Sequence, residues 1–395
     1  MHTLARRLAI ATLVMLVTAM LPRAVPAGPP GTWTRIGPKI GTGLSGPAIA
    51  RTADGVLHVV WAVDGPTDSY RHAAVGVNGK SVGSLTTVLS KWSSVIHDPA
   101  LIIDGDKLRL VFSGIKGPSN DPYSRGAMYT TTSDASGKKW TLFNGSMSKN
   151  SYAYASYGTG ATLDMNLVPV ATWCLNSDIW WHVGVDPSIP STVNDGILPV
   201  NGGSILHTAI ATDAVTGGVY VAYYNQGTKG NGTFAKQILP TRGPTKKAPA
   251  STSNGSSLEP GQNLALSARR GVAGVYLAYG VGYPSTASVR LWKLGTNSTL
   301  TAPSSADSDV IALASTPDGG LWIVWHRNDT NKVYTARTDP NVTAFVQLTE
   351  TDPPANTADV YRIAADASKG TLDIVLNALA WDSTNSIWHT QVVPE

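Results

Sequence analysis

Seven times along the sequence the same phrase returns. It is a short apolar segment around an alanine, a turn, and a second apolar segment that mostly ends on an aromatic ring. The copies open at Pro47-Ala-Ile-Ala, Pro99-Ala-Leu-Ile, Gly160-Ala-Thr-Leu, Thr208-Ala-Ile-Ala, Leu264-Ala-Leu-Ser, Ile311-Ala-Leu-Ala and Ile363-Ala-Ala-Asp. Their second segments run to Trp61, Phe112, Ala171, Tyr223, Tyr279, Trp325 and Leu376. Anchored on the alanines at 48, 100, 161, 209, 265, 312 and 364, the copies stand 47 to 61 residues apart. Segments this short suit strands and not helices, and a lone unit of such strands cannot cover its own apolar faces. Stacking neighbouring units does cover them, and a period near 50 residues made only of strands is the signature of a β-propeller.

The turns between first and second segments have hairpin chemistry, as in Ala53-Asp-Gly55, Asp104-Gly-Asp106, Thr216-Gly-Gly218 and Pro317-Asp-Gly-Gly320. Asp and Gly accept the left-handed backbone that tight turns need. A third strand-like segment follows each second one, and a fourth, less regular one ends most copies, such as Trp140-Thr-Leu142 and Phe345-Val-Gln-Leu348. The seventh copy stops after its third segment, while Thr32-Trp-Thr-Arg-Ile-Gly37 precedes the first copy as an orphan. The expectation is an all-β, seven-bladed β-propeller closed by strand exchange, the N-terminal strand completing the last blade and removing both sheet edges. Two packed sandwiches are the rival, but that architecture does not call for seven similar units. Residues 240–262, rich in Ser, Thr, Gly and Pro, read as a long surface connection within one propeller domain over 28–395.

Residues 1–27 read as a secretion signal. Arg6 and Arg7 precede an apolar run from Leu8 to Leu21, and Val25-Pro-Ala27 supplies small residues for cleavage. That run is too short to span a bilayer comfortably. The mature chain is therefore expected outside the cytoplasm, free of the membrane and monomeric. Cys174 is the only cysteine, so no intramolecular disulfide can form and the core alone must hold the fold. Charged residues are 14% of the chain and the net charge of +4 is spread without a basic run, which argues against a nucleic-acid partner. Trp (12) and Tyr (14) far outnumber Phe (4), a bias that suits wet, partly polar surfaces and sugar faces as well as blade packing.

The stretch Tyr129-Thr-Thr-Thr-Ser-Asp-Ala-Ser-Gly-Lys-Lys-Trp140 resembles the Asp-box, Ser-x-Asp-x-Gly-x-x-Trp, of the sialidase-like propellers. Ser133, Gly137 and Trp140 match it, with Ala135 at the Asp position. In that family the box is a structural turn between blade strands, so the resemblance implies the propeller fold and not catalysis. Tyr361-Arg-Ile-Ala364 is similar to the sialidase strand whose Arg grips a sialate carboxylate, but it sits in the last repeat. His97-Asp98-Pro99-Ala100 is similar to the strand of five-bladed arabinanase- and xylosidase-type glycosidases whose Asp is a general base.

Propeller geometry points to a site without any family. The first strand of every blade lines the central channel, so the residues opening those strands converge on one mouth. Those positions hold His97 and Asp98, His207, Gln262 and Asn263, Asp309, Tyr361 and Arg362. Loops from second to third strands emerge at the same end and bring Asp64, Asn225, Gln226, His326 and Arg327. Directional donors and acceptors beside aromatic bodies suit a polyhydroxylated ligand. The leading expectation is thus binding of a carbohydrate or similar extracellular polymer by His97, His207, Asn263, Tyr361, Arg362, His326 and Arg327. The alternative is glycoside hydrolysis by a carboxyl pair, with Asp98 as base and Glu259 or Asp309 as partner. A protein-interaction scaffold is the third class. No cofactor or metal is expected, because no His-x-His or His-Glu-x-x-His spacing occurs.

Overall fold

The computed structural model describes residues 27–28, 32–37, 45–92, 98–116, 127–143, 146–147, 158–175, 178–184, 196–199, 203–227, 231–252 and 262–395. His97, Glu259 and all but the last residue of the expected signal segment lie outside them. The described residues form seven sheets, antiparallel except for one short added strand, and no helix. The inner strands are Ala48–Arg51, Ala100–Asp104, Gly160–Leu163, Gly203–Thr212, Leu264–Ala268, Ser308–Ser315 and Thr357–Asp366. Each pairs with a second strand, namely Leu57–Val63, Lys107–Gly114, Pro169–Leu175, Val219–Gly227, Val275–Val281, Leu321–Arg327 and Leu372–Ala380. Successive inner strands touch, and the seventh touches the first, so the ring is closed and the fold is a seven-bladed β-propeller.

One register repeats in every blade. The anchor alanines pair with Val60, Val111, Ala171, Ala222, Ala278, Val324 and Val375 of their second strands. The residue after each partner, aromatic or apolar in every blade but the third, where it is Thr172, then falls on the opposite face, because side chains alternate along a strand. All seven anchor alanines line the central channel. A larger side chain there would fill the space where seven strands converge.

The core is not one cluster but seven, each lying between two neighbouring blades. Blades 1 and 2 share Tyr70, Trp92, Leu108 and Phe112, for example, and blades 6 and 7 share Trp322, Val324, Val360 and Leu376. Blades 2 and 3 meet through Met128, Met147 and Trp173. Cys174 is buried between blades 3 and 4, where burial pushes its thiol up to about 12 and leaves it a small apolar filler.

Thr34–Arg35 forms the fourth strand of the last blade, antiparallel to Asn385–Val392. Ile36 donates its backbone N–H to Ile387 O at 3.0 Å and buries its side chain with Leu57 and Trp61 of blade 1. Ala27–Gly28 adds a short parallel strand to the edge of blade 6. Where the sequence reads as a long connection over 240–262, the structure finds an outer strand, Lys246–Lys247, paired to Phe234 and Ala235. Two residues flanked by Pro and Thr carry no alternation by which to recognise a strand.

The incomplete Asp-box performs the turn the resemblance implies. Asp134, one position early, accepts the Ser136 backbone N–H at 3.0 Å, and Trp140 Nε1 donates to Gly137 O at 2.9 Å. Gly137 has φ of 66°, and a Cβ there would lie 2.3 Å from the His72 ring of blade 1. Gly137→Ala is therefore expected to cost about 1–3 kcal/mol, from both the left-handed backbone and the clash. Denaturant unfolding of the variant measures it.

Candidate functional site at the channel mouth

Why side chains turn into the mouth is a local matter of register. The inner strands of blades 4, 6 and 7 slip between Ile205 and His207, Ser308 and Val310, Thr357 and Asp359, and Val360 and Arg362. An extra residue at a strand end kinks the strand and re-aims its neighbours. Asp309 and Tyr361 are two of those extra residues.

Asp98, His207, Gln262 and Arg362 line one cavity of about 300 Å³ at the head of the channel. They come from blades 2, 4, 5 and 7. Asp98 accepts the backbone N–H of Gly46 through Oδ1, and Arg362 Nε stands 3.5 Å from its Oδ2. Arg362 also donates through Nη1 to Tyr361 O at 2.7 Å, which fixes the guanidinium plane. His207 is buried beside this pair. Burial, with the Arg362 charge second, brings its pKa down to about 4 against a weaker opposing pull from Asp98, so the ring is neutral at pH 7. Its Nδ1 is buried with no hydrogen-bond partner. Gly158, at φ of 89°, lets blade 3 approach this corner, since a Cβ there would lie 2.7 Å from Thr208 N and 3.0 Å from His207 Nδ1.

Gln262, next to the nominated Asn263, is a clip rather than a free donor. Its amide nitrogen donates to Ile311 O at 2.9 Å and Ile363 O at 2.7 Å, and its oxygen accepts Ile363 N at 3.0 Å. One side chain thus ties blade 5 to blades 6 and 7. Asn263 itself is fully buried outside the cavity lining, with neither amide atom hydrogen-bonded.

The remaining nominated residues gather elsewhere. His326 is buried at the junction of blades 6 and 7, where Nε2 meets Asn331 Oδ1 at 3.0 Å and Asn331 Nδ2 donates to Thr357 O at 3.0 Å. Its Nδ1 stands 3.9 Å from Asp309 Oδ1 and 4.0 Å from Asp359 Oδ1. Burial lowers its pKa, but Asp309, Asn331 and Asp359 outweigh burial and hold it above the ordinary value. Asp309 therefore belongs to this second cluster and does not line the cavity that holds Asp98. Arg327 pairs with Asp329 and lies over the Tyr334 ring, 5.7 Å from its centroid. Among the described residues no group of three or more His, Cys, Asp or Glu is placed to hold a metal ion.

The carboxylates that share surroundings with Asp98 are Asp64 and Asp68, at the two ends of the turn from second to third strand in blade 1. Burial, then the three nearby charges of Asp98, Asp68 and Asp64, drives the Tyr70 hydroxyl well above its usual range. Burial, then Asp68, raises Asp64 to about 6. Asp68 escaped sequence reading because it follows a run of turn residues and bears no motif.

No family model matches the sequence, and no curated protein matches it as a relative. Solved structures match the fold. A virginiamycin B lyase from Staphylococcus aureus, solved in a catalytically inactive form with quinupristin, superimposes with a TM-score of 0.52 at 10% identity, covering 92% of this chain and 100% of that one. An ulvan lyase from a new polysaccharide lyase family gives 0.52 at 11% identity, covering 94% and 96%. A Hadza microbial sialidase gives 0.48 at 10% identity, covering 88% and 65%. At such identities what is shared is the propeller, the fold the Asp-box resemblance implies.

Proposed function

We propose that the chain is a secreted propeller that binds a carbohydrate, or a similar polyhydroxylated extracellular polymer, at the mouth of its channel. One observation carries this reading. Three blades deliver Asp98, a neutral His207 and Arg362 to a single cavity of about 300 Å³ whose deeper wall is a ring of alanines. A sugar offers hydroxyls around its rim and C–H groups on its faces, and such a mixed polar and apolar concavity addresses both. The ulvan lyase shows that a propeller of this shape can act on a polysaccharide. Secretion rests on the signal-like segment over residues 1–27. N-terminal sequencing of exported protein is expected to begin near Gly28.

Arg362→Ala is expected to weaken glycan binding by about 10- to 100-fold, the range for losing a hydrogen bond to a charged group. A glycan array followed by calorimetric titration of the strongest hit measures it, with far-UV circular dichroism confirming the fold. Unchanged affinity would place the site elsewhere.

Hydrolysis is the second reading, favoured by one feature: Asp64, raised to about 6, shares the surroundings of Tyr70 with Asp98. A carboxyl group that still holds its proton in mildly acidic solution, in the neighbourhood of a second carboxyl group, is what glycoside cleavage needs. Release of reducing sugar that Asp98→Asn and Asp64→Asn each abolish would establish it.

A further inference from the structure

Trp381 is 76% exposed, the most exposed large apolar side chain among the described residues. It stands on the hairpin between the second and third strands of blade 7, at the same end of the ring as the channel mouth. The hairpin holds it firmly. Trp381 N donates to Asn356 O at 3.2 Å, Ser383 N to Ala380 O at 2.9 Å, and Ala380 N to Thr384 O at 2.8 Å. Asp382 accepts from both the backbone N–H and the hydroxyl of Thr384, closing the turn. An indole fixed in water on a rigid turn gains nothing from the fold around it.

Beside it lies a groove of about 440 Å³, separate from the channel, with the half-buried Trp388 and the residues Arg35, Asn356, Asp382 and Ser386 along its walls. Neither Arg35 nor Asn356 spends its side chain on a hydrogen bond to the described residues. The groove therefore offers a flat apolar plate together with donors and acceptors of both signs around its edge.

We propose that this groove is a sugar-stacking subsite. It takes one ring of a neutral glycan, with C–H groups on the Trp381 indole and hydroxyls toward Arg35, Asn356 and Ser386. Neutrality follows from Arg35 and Asp382, which face the groove with opposite charges. Aromatic faces with a polar handle suit such half-wet contacts, and a preformed turn spares the ordering cost of binding. The inference rests on the carbohydrate reading above for the class of ligand and not for the place.

The test uses the full mature chain with cellohexaose, xylohexaose, chitohexaose and laminarihexaose as probes. Trp381→Phe identifies the Trp381 indole N–H resonance by its loss, and that resonance is expected to move on addition of at least one probe. Trp381→Ala is expected to weaken that probe about 10-fold or more, and Trp381→Phe to restore most of the affinity, as a stacking plate requires. If Arg362→Ala leaves binding intact while the Trp381 resonance still moves, the rim subsite stands and the channel reading falls. If Trp381→Ala binds every probe as wild type does, the subsite falls and the channel reading stands. An unmoved Trp381 resonance with all four probes overturns the subsite, as does a Trp381→Ala variant that changes only the oligomeric state in sedimentation.

Discussion

Asp373→Ala is expected to cost about 3–5 kcal/mol of stability, the range for stripping one partner from a buried ion pair. The reason lies at the junction where blade 7 meets blade 1. Arg51, from the first inner strand, donates to Asp366 Oδ2 at 2.6 Å and to Asp373 Oδ2. The other oxygen of Asp373 meets His389 Nε2 at 2.7 Å and accepts from Gln391 Nε2 at 2.9 Å. Gln391 reaches across to Val77 O of blade 1 at 3.2 Å. The Arg51, Asp373 and His389 side chains are each 2% exposed, so water cannot replace a lost partner. Alanine at 373 leaves a buried guanidinium with one carboxylate and a buried imidazole with none. The exposed Arg327–Asp329 pair provides the comparison, since water can replace the partner there and Asp329→Ala is expected to cost far less than Asp373→Ala. Urea unfolding of both variants measures the contrast. Equal and small losses would show that the closing junction is held by its apolar contacts alone.

Acid is expected to weaken the fold from about pH 6.5 downward, through histidines that are buried neutral. Between blades 1 and 2 a relay fixes their protons. Thr86 Oγ1 donates to Gly137 O at 3.0 Å, so it can only accept from His72 Nδ1, also at 3.0 Å. His72 Nε2 must then accept from His58 Nδ1 at 2.9 Å. A proton added to His72 Nε2 would meet the N–H of His58 head on. Burial, and behind it the His58 charge, brings His72 down to about 3, and burial lowers His58 as well. The unfolded chain takes up these protons below its ordinary value near 6.5, while in the folded chain His72 refuses its proton until about pH 3 and His58 takes one up only below its ordinary value. Stability supplied by the pair is thus complete above pH 6.5 and falls by about 1.4 kcal/mol per pH unit for each histidine still refusing its proton. His207 adds the same trend down to about 4. Asp64 and His326, both raised, act in the opposite sense. The double variant His58→Gln/His72→Gln isolates the relay, and its unfolding midpoint is expected to change less between pH 7 and 5 than that of wild type. Identical slopes would assign the acid sensitivity to other groups.

Much of the fold was legible because a propeller writes its register into the chain. An alanine paired with the residue just before an aromatic, as in Ala48 with Val60 and Trp61, or Ala312 with Val324 and Trp325, leaves a mark that repeats in five of the seven blades, with Leu376 in place of the aromatic in blade 7 and Thr172 in blade 3. The channel mouth was legible in part for the same reason: Asp98, His207 and Arg362 are equivalent positions, and the ring brings them together. What stayed hidden depends on single residues of register or on contacts across the closure. The bulge at Asp309 sends that carboxylate toward His326, and nothing in the local pattern marks an inserted residue. Arg51 meets partners 315 and 322 residues away, which only the closed ring brings near. Trp381 gave no sign either, because a tryptophan in a turn reads the same whether it packs or stands in water.

The most direct test of the channel-mouth reading is calorimetric titration of wild type and Arg362→Ala with the glycan that wild type binds most strongly on an array. Saturable binding to one site in wild type, weakened about 10- to 100-fold in the variant, is the expected result. Binding of equal strength in both proteins would contradict a glycan site built on Asp98, His207 and Arg362.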